Sequence, residues 1–263
     1  MAIHFVFPKD SAEPACPEEM FADQWSALTR AGFSVSLCSD AVLAGTKPLR
    51  NVPAGSLVVY RGWMVKGEEY ATLVRAIEQC GAKAFTSPQE YLATHHLPNW
   101  YPLIPDLTPE TRVFSDDADV VAELRALGWG AYFLKDYVKS LKTARGSIVR
   151  APEEAPAVLA EMREYRGEIE GGICVRRVED YVPESEQRYF ILHGVGYAPS
   201  EGAIPELVRQ CAERIPSKFF AVDVARTRDG ALRIVEVGDG QVSDLVGWSP
   251  AAFADMWVRA GRG

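Results

Sequence analysis

The chain has 263 residues, 48% of them hydrophobic and 24% charged, with a formal net charge of −8. That length allows one large domain or two lobes around a sizeable core, and the acidic balance argues against a general nucleic-acid binder. The cysteines (Cys16, Cys38, Cys80, Cys174 and Cys211) are scattered without Cys-x-x-Cys spacing, which suggests neither a disulfide framework nor a zinc knuckle.

Ile3 to Phe7 reads as a first strand. It is too short for a secretory segment and is followed by Pro8, Lys9 and Asp10, and no later stretch reaches membrane-span length. A cytoplasmic protein with no membrane partner is expected. Glu18 to Ala31 follows as a helix stopped by Gly32, then Phe33 to Cys38 and Ser56 to Tyr60 as strands, Glu68 to Cys80 as a helix, and Ala82 to Thr86 as a short strand. Strands alternating with helices imply a parallel sheet. Ligands collect at the carboxyl ends of such strands, where Arg61 sits beside Gly62. It reads as either a ligand-facing or a surface-paired arginine. Residues 88–111, rich in Pro, aromatics and His, have no sustained period and are expected to form a packed linker, with His95 and His96 as packing or helix-end residues. The lobe boundary falls there, giving lobes of residues 1–111 and 112–263.

The second lobe opens with a strand near Arg112 to Ser115 and a helix over Asp117 to Leu127, with Ser115 or Asp116 as N-cap. Ala131 to Lys139 alternates as one strand, placing Phe133, Lys135, Tyr137 and Lys139 on one face. A straight strand would hold the two lysines about 13 Å apart, comparable with a nucleotide triphosphate. The segment from Ser140 to Gly146 is small, polar and basic. With Ser140, Lys142, Thr143 and Arg145 it is either a phosphate cover or a solvated loop. Glu153 to Tyr165 is a helix, Ile173 to Val178 and Gln187 to Val195 are strands, and Glu186 and Arg188 share one face of the latter. Ile204 to Arg214 is a further helix, and Pro250 opens a closing one. Between them, Phe220 to Thr227 and Ala231 to Val237 form a hairpin on a two-residue Asp229-Gly230 turn. Counting from Arg228 opposite Ala231 places Asp223 opposite Glu236. Facing carboxylates repel, so a cation, a proton or water must separate them; a divalent cation is one answer, and a surface hairpin with both acids solvated is the other.

A lysine-bearing aromatic strand, a basic flap, Glu186-x-Arg188 and an acidic hairpin, in this order, resemble the carboxyl-terminal part of ATP-grasp enzymes. The runs YRGWM, YLATHHLP and VEVGDGQVSDL are similar to the short bacterial and phage ATP-grasp proteins of the R-two-K clade. The resemblance implies an α/β fold: an N-terminal parallel α/β lobe followed by ATP-grasp lobes whose antiparallel sheets grip ATP. It also implies that Lys135 and Lys139 contact the α- and β-phosphates, that Arg177, Val178 and Glu179 lie near the hinge reading the adenine edge, and that Glu186 accepts from the ribose hydroxyls. The family's metal set is an acid on one strand and Glu-x-Asn on the next. Asp223 and Glu236 match its first two members, whereas position 238 is Gly and Asp239 comes one residue later. Asp239 joins the Mg2+ site only if Gly238 bends the strand. The implied reaction joins a carboxylate to an amine, on small-molecule or peptide substrates, with Lys139 and Arg188 adding charge at the phosphoryl group and Arg61 or Arg188 holding the acceptor carboxylate. No nucleic acid is implied. The alternative is an ATP-binding protein without ligase activity.

Overall fold

The computed structural model describes residues 1–140 and 145–261. The apolar alternation of the first ninety residues folds as β1 (Ile3–Pro8), α1 (Ala22–Arg30), β2 (Ser34–Cys38), α2 (Asp40–Leu43), β3 (Leu57–Tyr60), α3 (Gly67–Gln79) and β4 (Lys83–Ala84). The strands pair in parallel in the order β2-β1-β3-β4. Gly32 ends α1 with φ +90°, where a side chain would be strained. The expected linker over residues 88–111 is instead largely helical, with α4 (Pro88–His95), α5 (Leu97–Trp100) and a 3-10 turn at Tyr101–Leu103. Buried Tyr91, Leu97 and Trp100 anchor these short pieces. Tertiary burial therefore sets helices too short to show a period.

Next come β5 (Thr111–Phe114), α6 (Val120–Leu127), β6 (Tyr132–Lys135), β7 (Ile148–Val149), α7 (Ala155–Arg166) and β8 (Ile173–Arg177). Their sheet runs β5-β8-β6-β7, each strand antiparallel to its neighbour. Asp119, rather than Ser115 or Asp116, caps α6, accepting from Ala122 N at 3.1 Å. The expected strand at residues 187–195 splits into β9 (Gln187–Leu192) and β10 (Val195–Tyr197), reversing at His193 and Gly194, both with positive φ. After α8 (Glu206–Arg214) come β11 (Phe219–Arg226), β12 (Leu232–Asp239) and α9 (Pro250–Ala260). These strands form a sheet in the order β10-β9-β11-β12.

The chain divides into two compact units that are not consecutive in sequence. The first comprises residues 1–94, 187–222 and 238 onward, and the second residues 95–186 and 223–237. In the first, Phe5, Phe190, Phe219, Phe253 and Trp257 share one core, and Val6, Tyr60, Leu73 and Ile77 belong to another. In the second, Leu124, Leu134, Leu159 and Val175 pack together. Full burial of such a side chain contributes about 1.5–3 kcal/mol. Among the described residues, no helix is long and apolar enough to cross a membrane.

Candidate nucleotide and metal site

Within the second unit, β6 pairs Lys135 with Cys174 and Phe133 with Arg176 of β8, so Lys135 and Arg176 lie on one face of the sheet. Both are buried. Lys135 Nζ lies 3.4 Å from Glu236 Oε1 on β12, a cation and an acid 101 residues apart in sequence. The Glu236 side chain remains 48% exposed. Arg176 donates from Nη1 to Val235 O and from Nη2 to Thr108 Oγ1, the latter at 2.6 Å, and its guanidinium carbon lies 5.8 Å from the Trp100 ring centre. Burial lowers its pKa, while Tyr181 and Glu236 oppose that shift. Arg176 is not among the residues the sequence analysis singles out, and its neighbour Arg177 is expected near the hinge. Arg177 is 59% exposed, near Glu110, and the alternation from Lys135 across the ladder was the missed signal.

The strand expected over residues 131–139 ends at Lys135. Asp136 to Lys139 is a turn closed by an antiparallel bridge between Lys135 and Ser140 and by Asp136 N donating to Lys139 O at 3.0 Å. The straight-strand spacing of about 13 Å between Lys135 and Lys139 therefore does not apply. The physical reason is Asp136, whose buried Oδ1 accepts from Val138 N at 2.7 Å and Lys139 N at 2.5 Å, an Asx turn that competes with strand pairing. Tyr137 packs over Gly171, where an added Cβ would fall 2.2 Å from the ring. Behind it, His96 lies 3.2 Å from Glu170, and His95 is buried with its pKa lowered to about 4 by desolvation. His95 ends α4 and His96 precedes α5, in line with the expected helix-end or packing positions. Lys142 and Thr143 lie outside the described residues, and Arg145 pairs with Glu161 at 3.0 Å.

Arg177, Val178 and Glu179 line a cavity of 690 Å³. The Glu179 carboxylate is gripped by Arg233 Nε and Nη2 at 3.0 Å and accepts from Tyr181 Oη at 2.8 Å. The N–H groups of Arg177 and Val178 donate to Glu110 O and Ala131 O. Glu186 is exposed just before β9.

The hairpin turn also differs from expectation. Gly230 N donates to Thr227 O and Thr227 N to Ala231 O, both at 2.9 Å, with Gly230 at φ +94°. This is a three-residue loop of the glycine-bulge kind. Thr227, not Arg228, faces Ala231, so uninterrupted counting from the turn brings Val235 opposite Asp223. Direct opposition of Asp223 and Glu236 does not follow from the turn. Asp223 is buried on β11.

In the first unit, the Arg61 side chain is 1% exposed and commits every guanidinium nitrogen inside the protein. Nε and Nη2 donate to Gln24 Oε1 at 3.1 and 2.8 Å, Nη1 to Gly240 O and Gln241 O at 2.6 and 2.9 Å, and Nη2 also to Ser243 O at 3.0 Å. The fork also stacks 4.7 Å over Phe253. Burial lowers the Arg61 pKa to about 10, against the pull of Asp244 and Asp239. Gln241, which the sequence reading passed over, donates to Asp239 Oδ1 from its backbone and its side chain, and to Tyr70 Oη at 2.8 Å. Asp239 Oδ2 is buried without a hydrogen-bond partner among the described residues, and burial raises this carboxyl to about 7. Position 238 is tightly bordered. A Cβ there would lie 3.1 Å from Ser243 Oγ, which donates to Asp239 O at 2.8 Å. Arg188 donates to Asp244 O at 2.9 Å, and its own carbonyl accepts from Trp248 Nε1.

The orphaned Asp239 Oδ2 of the first unit is the type of atom a cation satisfies, and the carboxylates of Asp223 and Glu236 in the second unit are oxygen donors of the type Mg2+ takes. Among the described residues, no group of three His, Cys, Asp or Glu side chains is gathered to hold a metal.

A parallel four-stranded sheet precedes two further four-stranded sheets. The model of the ATP-grasp domain of the R-two-K clade, family 3, matches residues 126–257, half of the chain. The chain belongs to that family. Among solved structures it is similar to D-cycloserine synthetase DcsG (14% identity over 98% of this chain and 99% of that one, TM-score 0.65). It is also similar to D-alanine–D-alanine ligase from Bacillus anthracis complexed with ATP (14% identity over 100% of both chains, TM-score 0.62). A third is macrocyclase MdnC bound with precursor peptide MdnA from Microcystis aeruginosa MRC (12% identity over 98% of this chain and 100% of that one, TM-score 0.61). At these identities the likeness is one of fold. No curated protein matches the sequence.

Proposed function

We propose that the protein is an ATP-dependent ligase that joins a carboxylate to an amine through an acylphosphate, releasing ADP and phosphate. The observation that carries this reading is the 3.4 Å approach of buried Lys135 to Glu236, which joins a phosphate-type cation to a metal-type acid as the family resemblance anticipates. Lys135 and Arg176 supply fixed positive charge on one sheet face, and the locked Asp136 turn presents Lys139 from the end of the same strand. Such preorganised charge is effective where phosphoryl oxygens gain charge. The backbone of residues 177–179 borders the adenine, and Glu186 accepts from the ribose. Magnesium, when bound, would supply further charge neutralisation on the phosphates, with Asp223 and Glu236 of the second unit as the acids that would hold it. A substrate carboxylate oxygen attacks the γ-phosphorus and the bond to the ADP oxygen breaks. The amine nitrogen then attacks the acyl carbon, phosphate leaves with the bonding pair, and the amine gives up a proton. Arg188 is the acceptor-side cation, and Arg61 acts by positioning residues 240–243. Reaction in the cytoplasm, on small-molecule or peptide substrates, accords with the family.

A second reading, a nucleotide-binding protein without ligation, is favoured by Gly238 in place of asparagine. ADP release across a panel of carboxylic acids and amines separates the two. Ligation predicts release that depends on both substrates and is lost in Asp223→Asn. Nucleotide binding with no release for any pair supports the second reading, and release unchanged in Asp223→Asn refutes the metal assignment.

A further inference from the structure

The parallel sheet ends on one side at β2, and a cavity of 950 Å³ follows that strand. The consecutive residues Val35, Ser36 and Leu37 all line it. Successive side chains point to opposite faces of a sheet, so the cavity wraps the strand's outer edge rather than covering one face. Trp25 of α1, residues 40–42 of α2 and, from the segment after it, Lys47 and Arg50 also line the cavity. An edge strand offers backbone N–H and C=O groups to an added extended segment, and the lining from α1 and α2 gives that segment's side chains places to sit.

The charge of this groove runs against that of the molecule. Lys9, Lys47 and Arg50 line it, against Asp10 and Asp40, in a chain of net charge −8. Asp10 is already engaged, its Oδ1 accepting from Ala12 N at 2.7 Å and Glu13 N at 2.8 Å. The groove presents three cations against two carboxylates beside the edge strand of the sheet. Two copies pairing β2 to β2 would bring these cations together, which opposes that assembly.

We propose that the groove binds an extended acidic peptide, which adds to β2 as a further strand and sets its carboxylates against Lys9, Lys47 and Arg50. The site lies within the first unit and stands independently of the ligase reading, because it requires no nucleotide. The probe is a fluorescently labelled peptide of alternating Glu and Val, compared with its Gln and Val counterpart, titrated into the full-length protein by fluorescence anisotropy without ATP. The expected result is saturable binding of the acidic peptide, weaker binding of the Gln version, and affinity reduced about tenfold or more in Lys47→Glu/Arg50→Glu, since two lost ion pairs of about 0.7 kcal/mol each give that factor. Both substituted residues are exposed, and a thermal melt verifies that the variant folds. Amide exchange read on the same samples is expected to slow across residues 34–38 when peptide is added. No binding, equal binding of the two peptides, binding unchanged in the double variant, unchanged exchange over 34–38, or peptide-independent dimerisation through this edge would each overturn the proposal.

Discussion

Arg61 illustrates how a side chain of catalytic type can serve the scaffold. Its N–H groups close on Gln24 and on the carbonyls of residues 240, 241 and 243, so the segment that carries Asp239 and Gln241 hangs on one planar fork. Lysine cannot reproduce that fork, and each buried acceptor left unpaired costs about 1–3 kcal/mol. Arg61→Lys is predicted to lose about 3 kcal/mol, lowering the melting temperature by roughly 6–12 °C. An unchanged melting temperature would show that the fork does not hold this segment in place. Position at the end of β3 was legible from the sequence, but role was not. The carbonyl acceptors lie 179 and 180 residues away in sequence for Gly240 and Gln241, and an arginine beside a glycine looks the same whether it faces a ligand or its own backbone. Arg176 is the reverse case. It is adjacent to Arg177 on one strand, and pairing with β6 sets it on the face that carries Lys135.

At the scale of elements, the regular pieces were legible wherever a period of 2 or 3.6 ran for a full strand or helix, as in β1, α1, α3, β8 and α9. The misreadings fell where a side chain overrides the period. Asp136 ends β6 at Lys135, well short of the expected strand end at Lys139, by drawing two backbone N–H groups to one carboxylate oxygen. In the hairpin, Gly230 at φ +94° converts a two-residue turn into a three-residue loop, and one residue of register moves every side chain to the other face. On the proposed ligase reading, the Asp136 turn fixes where Lys139 is presented. Asp136→Ala, which strands two N–H donors, is predicted to lower the melting temperature by roughly 4–8 °C for a loss of about 2 kcal/mol. It is also predicted to raise the KM for ATP more than it lowers kcat, with partial recovery in Asp136→Asn, which retains an acceptor oxygen. A loss of stability with KM unchanged would make the turn a purely structural device.

At the scale of the whole molecule, alternating strands and helices followed by strand-rich segments made the fold class legible from the sequence, and the order of lysine strand, hinge and acidic hairpin pointed to the family that the match over residues 126–257 supports. The division into units was not legible, because each unit gathers separated stretches of chain, with boundaries inside β11 and β12. Contacts across such sequence distances leave no local pattern. The central claim is that the acids of the hairpin and the lysine of β6 serve Mg-ATP. The most direct test is thermal melting of the wild-type protein and Lys135→Met, each with and without Mg-ATP at about 100 times the dissociation constant. The account predicts about 2.7 kcal/mol of stabilisation in the wild type, a rise of roughly 5–11 °C, and a much smaller rise in Lys135→Met. No rise in the wild type, or an equal rise in both proteins, would contradict it.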